Sequence, residues 1–149
     1  MTTVEAVVPP GQGLELISMP EWRSLCTERP NLLLEGSEES TEGVLLFLAP
    51  YLRKPVLWKP SQVPFVNPTG ECGAFVLQNV AALDREEQSD LFRWLDDSNG
   101  QTQVVATTAQ PLFPSVARGL FDEALYYRLN VVLLCVDSSS ADALAEGSG

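Results

Sequence analysis

Five short runs of the chain are almost solidly apolar: Asn31 to Glu35 (NLLLE), Pro55 to Trp58 (PVLW), Gly73 to Val80 (GAFVLQNV), Gln103 to Thr108 (QVVATT) and Asn130 to Val136 (NVVLLCV). A strand with one wet face alternates apolar and polar residues, whereas a strand covered on both faces does not need to. Between the runs lie segments with helical spacing: Pro20 to Arg29, Thr41 to Arg53, Asp84 to Asp97 and Ser115 to Tyr127. Asp84 can cap the third of these, with Glu87 three residues on as its capping-box partner. Leu91 and Leu95 share one face, widened by Phe92 and Trp94, and Asn99-Gly100 ends the segment. Buried strands alternating with helices predict an open, three-layer α/β domain with a mostly parallel sheet. Ligands in such folds bind at the carboxyl ends of the strands, which places Gly36 to Gly43, Gln78–Asn79 and Thr108–Gln110 on one edge.

The 149 residues suit one domain, predicted over 14–137. Residues 1–13, with Pro9-Pro10 and two glycines, read as a flexible arm, and 138–149, rich in Ser, Ala, Gly and acids, as a disordered acidic tail. Nine Lys plus Arg against twenty Asp plus Glu give a net charge of −11. Such a surface repels nucleic acid and anionic lipid, so neither DNA binding nor membrane attachment is expected. No apolar run is long enough to span a bilayer, and the amino terminus lacks the pattern of a secretory signal, so the expected location is the cytoplasm. The absence of histidine removes the serine triad, imidazole acid–base chemistry and most catalytic zinc sites. Cys26, Cys72 and Cys135 are far apart and form no CxxC, so they read as reduced, mostly buried thiols, and no metal site is expected.

Phe121 to Val132 reads FDEALYYRLNVV. This resembles the "FREDLYYRLNVV" segment of the AAA+ ATPase domain of bacterial sigma-54-dependent transcription activators, with Leu125 to Val132 identical. Gly73 to Leu83 resembles that family's Walker B strand "GTLFLDEIGEL", Leu91 to Leu95 the following "LLRVL" helix, and Val104 to Ala109 the sensor strand "VIAATN". Leu32 to Gly36 stands where the Walker A strand belongs. The likeness runs from about Leu32 to Leu134 and is strongest from Gly73 onward. It implies a P-loop NTPase-like fold of five strands in the order 5-1-4-3-2.

The departures fall on the chemistry. A P-loop, GxxxxGK[ST], needs glycines to wrap phosphate, a lysine to neutralise it and a hydroxyl for magnesium. Here the aligned stretch is Gly36-Ser37-Glu38-Glu39-Ser40-Thr41-Glu42-Gly43. Thr41 replaces the second glycine, Glu42 the lysine and Gly43 the hydroxyl residue, so Glu38, Glu39 and Glu42 are expected to line a loop built for a polyanion. Exchanging an attractive for a repulsive charge there costs on the order of several kcal/mol at an effective dielectric near 20. The Walker B Asp-Glu pair becomes Gln78 and Asn79, which neither act as a base nor bind a hard cation well. The sensor Asn becomes Ala109, after Thr108. Of the two arginines that act on a neighbour's ATP, the first becomes Asp122 and the second stands as Arg128. Only Pro60 to Cys72 fills the interval of the sigma-gripping GAFTGA loop, and the helical lid is not expected.

These substitutions predict a non-catalytic, ATPase-like domain without cofactor that acts by protein contact. Its partner would be a second copy or an intact AAA+ activator, engaged through a surface near Tyr126, Tyr127 and Arg128. Taken singly, Tyr126 and Tyr127 read as packing residues, Arg128 as a helix-end arginine paired with acids, and Trp58, near Phe65, as core. The competing reading is a nucleotide-binding domain or weak ATPase with a non-standard loop. It requires a positive charge aimed at Gly36 to Gly43, for which Lys54, Lys59 and Arg128 are the candidates. A relic without present function is a third.

Overall fold

A computed structural model describes residues 4–8 (backbone), 28–60, 63, 65–68, 72–98 and 101–136. The expected helix at Pro20 to Arg29, Cys26 and the expected acidic tail fall wholly or largely outside these residues. The strands are β1 (Val4–Val8), β2 (Leu32–Glu35), β3 (Val56–Lys59), β4 (Ala74–Leu77), β5 (Gln103–Thr108) and β6 (Val132–Val136). The helices are α1 (Glu38–Leu48), α2 (Arg85–Ser98), α3 (Phe113–Ala117) and α4 (Glu123–Leu129). A 3-10 turn, Ala49–Tyr51, follows α1, and another, Val80–Ala82, precedes α2.

The sheet runs β1-β6-β2-β5-β4-β3 and every pairing is parallel. The five expected strands therefore stand in the expected order, 5-1-4-3-2. The sixth is a correction, because Val4–Val8 lies in the segment read as a loose arm. It pairs in register with β6, from Val4 opposite Val132 to Val8 opposite Val136. Its β-branched composition (VEAVV) suits a strand, and it covers an edge of β6 that would otherwise be open.

Both faces of the sheet are covered, which is why the strands read as solid apolar runs. Leu32 and Leu34 of β2, Ala74 and Val76 of β4, and Val105 of β5 pack with Val44, Leu45 and Leu48 of α1. Leu33, Phe75, Leu77, Val104 and Ala106 point the other way, onto Leu91 and Leu95 of α2 and Leu125 and Leu129 of α4. Each fully buried leucine side chain is stabilising by about 1.5–3 kcal/mol.

Two helices differ from expectation. The helix expected over Thr41 to Arg53 begins earlier, at Glu38, and gives way to the 3-10 turn at Ala49, with Pro50 inside that turn. The helix expected over Ser115 to Tyr127 is two short ones. Gly119 takes a left-handed backbone (φ 75°) and Ser115 O accepts from the amides of Leu120 and Phe121, which stops α3. Asp122 then starts α4 as its N-cap, accepting from Leu125 N at 2.9 Å. Trp58 is a further correction. It is 44% exposed, because β3 is an edge strand, while Phe65 is buried.

Candidate functional site

The carboxyl edge of the sheet brings together the ends of β2, β4 and β5. Gly36 N donates to Thr108 O at 2.9 Å, tying the end of β2 to the end of β5. Asn79 N donates to Thr107 Oγ1 at 2.8 Å, tying the end of β4 to the same strand. Gln78 N donates to Lys59 O at 3.0 Å. Thr108 Oγ1 donates to Gln110 O at 2.8 Å, which folds the exposed Ala109 turn back on itself. Asn79 adopts the left-handed region (φ 59°, ψ 58°), which asparagine tolerates better than most residues. The edge was legible from the strand ends. Thr107, which holds Asn79, was missed; its one signal was its position beside Thr108 at the end of an apolar strand.

The turn from β2 into α1 is short. Gly36 and Ser37 alone separate the strand from the helix. Ser37 is the N-cap: its Oγ accepts from Ser40 N at 3.2 Å and donates to Ser40 Oγ at 2.8 Å. Thr41 Oγ1 donates to the carbonyls of Ser37 and Glu38, so its hydroxyl is turned back into the helix. Gly36 is required sterically, because a Cβ there would lie 2.5 Å from Val136 O. The expectation that Glu38, Glu39 and Glu42 line a loop is therefore corrected: all three lie on α1, as do Thr41 and Gly43, which the expected helix from Thr41 already held. Glu38 and Glu39 occupy its first turn, where carboxylates are favoured by the helix dipole, and no glycine between Gly36 and Gly43 interrupts the helix. Glu38, Glu39, Glu42 and Gly43 are exposed and Thr41 is buried.

None of the three candidate cations stands beside this turn. Lys59 ends β3, three strands from β2, or about 14 Å at the usual spacing. It is 8% exposed, and burial pulls its ammonium below the usual lysine range, opposed by the nearby Glu87 carboxylate. Glu87 is itself occupied: it accepts from Asp84 N and Phe65 N, and its own amide donates to Asp84 Oδ1 at 2.8 Å, the expected reciprocal cap of α2. Lys54 and Arg128 lie at the opposite, amino edge. Arg128 O accepts from Asn31 Nδ2, at the entry to β2. The Arg128 guanidinium reaches Asp96 at 2.7 Å and sits 5.2 Å over the Phe92 ring.

Tyr126 is buried and its hydroxyl accepts from Asn130 Nδ2, whereas Tyr127 is 46% exposed. Rings of Tyr126 and Tyr127 meet edge-on at 5.2 Å, and Phe113, 55% exposed, lies 6.0 Å from Tyr126. The packing reading thus fits Tyr126 and not Tyr127. Among the described residues no group of three or more acidic or Cys side chains is placed to hold a metal, and no helix is long and apolar enough to cross a membrane.

The fold matches known proteins. Three structures of NtrX from Brucella abortus superpose on it. The complex with ATP gives a TM-score of 0.66 at 20% identity, over 85% of this chain and 37% of NtrX. The complex with ADP gives 0.58 at 19%, over 83% and 37%, and a third structure gives 0.60 at 20%, over 84% and 38%. At that identity the likeness speaks for the fold, and this chain spans under two fifths of the length of NtrX. No curated protein matches by sequence. Residues 60–137, more than half of the chain, match the sigma-54 interaction domain. This α/β, P-loop-like chain belongs to the sigma-54 interaction domain family.

Proposed function

We propose that this domain is a non-catalytic relative of the sigma-54 activator ATPase, working in the cytoplasm as a protein-interaction module in transcription regulation. The observation that carries the reading is the turn at Gly36–Ser37. Wrapping a polyphosphate takes a run of backbone N–H groups in an open loop. Here helix α1 begins at Glu38, the Ser40 amide already donates to the Ser37 hydroxyl and the Thr41 amide to Ser37 O, and the next turn carries Glu42. The three segments leaving the edge, 36–51, 78–84 and 108–117, contain no Lys or Arg, and Gln78 and Asn79 stand where a carboxylate pair would hold magnesium. The partner surface is the aromatic patch of Phe113 and Tyr127 beside Arg128, suited to a second copy or to an intact AAA+ activator, whose members pack side by side in rings.

The test is the melting temperature with and without millimolar magnesium-ATP. A ligand at about 100 times its dissociation constant stabilises by roughly 2.7 kcal/mol, or roughly 5–10 °C for a domain of this size. No shift is expected. A shift of that size overturns the reading in favour of a nucleotide-binding domain with a non-standard loop. Light scattering then tests the contact surface: a strict monomer that captures no AAA+ activator removes that part of the proposal.

A further inference from the structure

A concavity lies at the amino edge of the sheet, away from Gly36. It has a volume of about 630 Å³ and opens where the chain enters β3, β4 and β5. That lies within the usual range for small-molecule sites, about 300–1,000 Å³. Arg53 and Lys54 line it from the entry to β3, Gly73 from the entry to β4, Gln101 from the entry to β5, and Trp94 and Asp97 from the end of α2.

The wall bearing the two cations is fixed by backbone. Gly73 N donates to Pro55 O at 2.9 Å, and a Cβ on Gly73 would lie 2.3 Å from Arg53 O. Only glycine admits the Arg53–Pro55 segment this close. The Trp94 ring is held edge-on to Phe75, with centroids 5.4 Å apart, so the indole is a placed wall rather than a loose one.

The charge is distinctive. Arg53-Lys54 is the one adjacent pair of basic residues in a chain of net charge −11. Arg93 and Arg128 are neutralised by Asp90 and Asp96. Among the described residues neither Arg53 nor Lys54 makes an ion pair. Elsewhere acidic residues dominate; here two adjacent cations outnumber the one carboxylate, Asp97, among the described residues that line a cavity with a flat aromatic wall.

We infer that this cavity binds a small organic anion, a carboxylate or phosphate monoester carried on a flat ring. The charged group meets Arg53 and Lys54, where guanidinium geometry suits either oxyanion. The ring packs against Trp94. Gln101 supplies a neutral hydrogen bond, and Asp97 accepts from a hydroxyl or amino substituent on the ring. The site is independent of the nucleotide question, which concerns the opposite edge.

The experiment is a titration of the whole, isotope-labelled chain, read at the Gly73 amide and the Trp94 indole N–H by NMR. The probes are 4-hydroxybenzoate, phenyl phosphate, inorganic phosphate and benzylamine. Saturable shifts are expected with at least one aryl anion, at a Kd of about 1 mM or tighter. Which one binds separates carboxylate from phosphate recognition. The double substitution Arg53→Gln with Lys54→Gln changes two exposed side chains and is expected to weaken binding about tenfold or more. Asp97→Asn is expected to tighten binding of phenyl phosphate, an effect that a damaged fold does not produce. The inference is overturned if no probe moves either signal at about 10 mM. It is overturned equally if benzylamine or inorganic phosphate binds as well as the aryl anions, or if the double variant binds unchanged.

Discussion

Gly36 and Gly43 bracket a stretch that resembles a phosphate-binding motif, yet the structure asks different things of them. A Cβ on Gly36 would sit 2.5 Å from Val136 O and 3.1 Å from Val136 Cβ, backbone and root of a buried strand that cannot swing away. A Cβ on Gly43, on the exposed side of α1, would meet nothing within 4 Å. Gly36→Ala is therefore expected to destabilise by about 1–3 kcal/mol, the usual cost of overpacking. Gly43→Ala is expected to stabilise by about 0.5–1 kcal/mol, by restricting the unfolded chain and favouring helix. Thermal melts of the two single variants read this directly, and both glycines moving the melting point in the same direction would refute it. Had Gly43 been part of a phosphate cradle, its substitution would have been the damaging one. The residue-scale lesson is that a glycine's spacing in a motif and its steric necessity are separate facts.

At the scale of elements, the boundaries come from side chains that satisfy helix ends. Asp122 stands where the related family carries an arginine, and here it caps α4. Asp122→Ala is expected to cost about 1 kcal/mol and Asp122→Asn only a few tenths, measured by urea denaturation. Gln88, buried on α2, clamps the preceding turn: it donates to Leu83 O and Leu120 O and accepts from Asp122 N at 2.8 Å. Sequence periodicity foresaw β5 to the residue and the Asp84–Glu87 cap, because both depend on local chemistry. It joined α3 and α4 into one helix, passing over Gly119 and Asp122, whose turn is also held by Gln88, 34 positions away, accepting from Asp122 N. It read Trp58 as core and the first residues as loose, because whether a strand is an edge is decided by which strand pairs with it. The candidate site was legible as a sheet edge; the two-residue turn was not, since Ser37 declares itself a cap only once Ser40 is placed. Lys59, at the end of β3, yields a pH prediction. Its folded-state pKa is lowered, so between that value and the unfolded 10.5 the unfolded chain binds more protons. The penalty for burying this ammonium is therefore full below that window and is relieved as pH rises across it. Lys59→Met is expected to be at least as stable as the parent at neutral pH and to lose that alkaline rise; a parent and variant with identical pH profiles would contradict the assignment.

For the whole molecule the governing quantity is a net charge of −11 on 149 residues. Carboxylates crowded onto a compact surface repel one another, and unfolding relieves that repulsion by spreading the chain. Added salt screens it over a Debye length of about 10 Å at 0.1 M, so the melting temperature is expected to rise with sodium chloride between low and physiological ionic strength. An anion bound at Arg53 and Lys54 would also raise it, by mass action. The two causes separate in sign with one variant. Replacing both cations by glutamine takes the net charge to −13. If screening dominates, that variant starts less stable and gains more from salt than the parent. If occupancy of the amino-edge cavity dominates, the variant gains less. Differential scanning calorimetry on the two proteins across a salt series decides it, and a melting temperature that falls with salt in both would show that paired charges, rather than the acidic excess, set the stability of this domain.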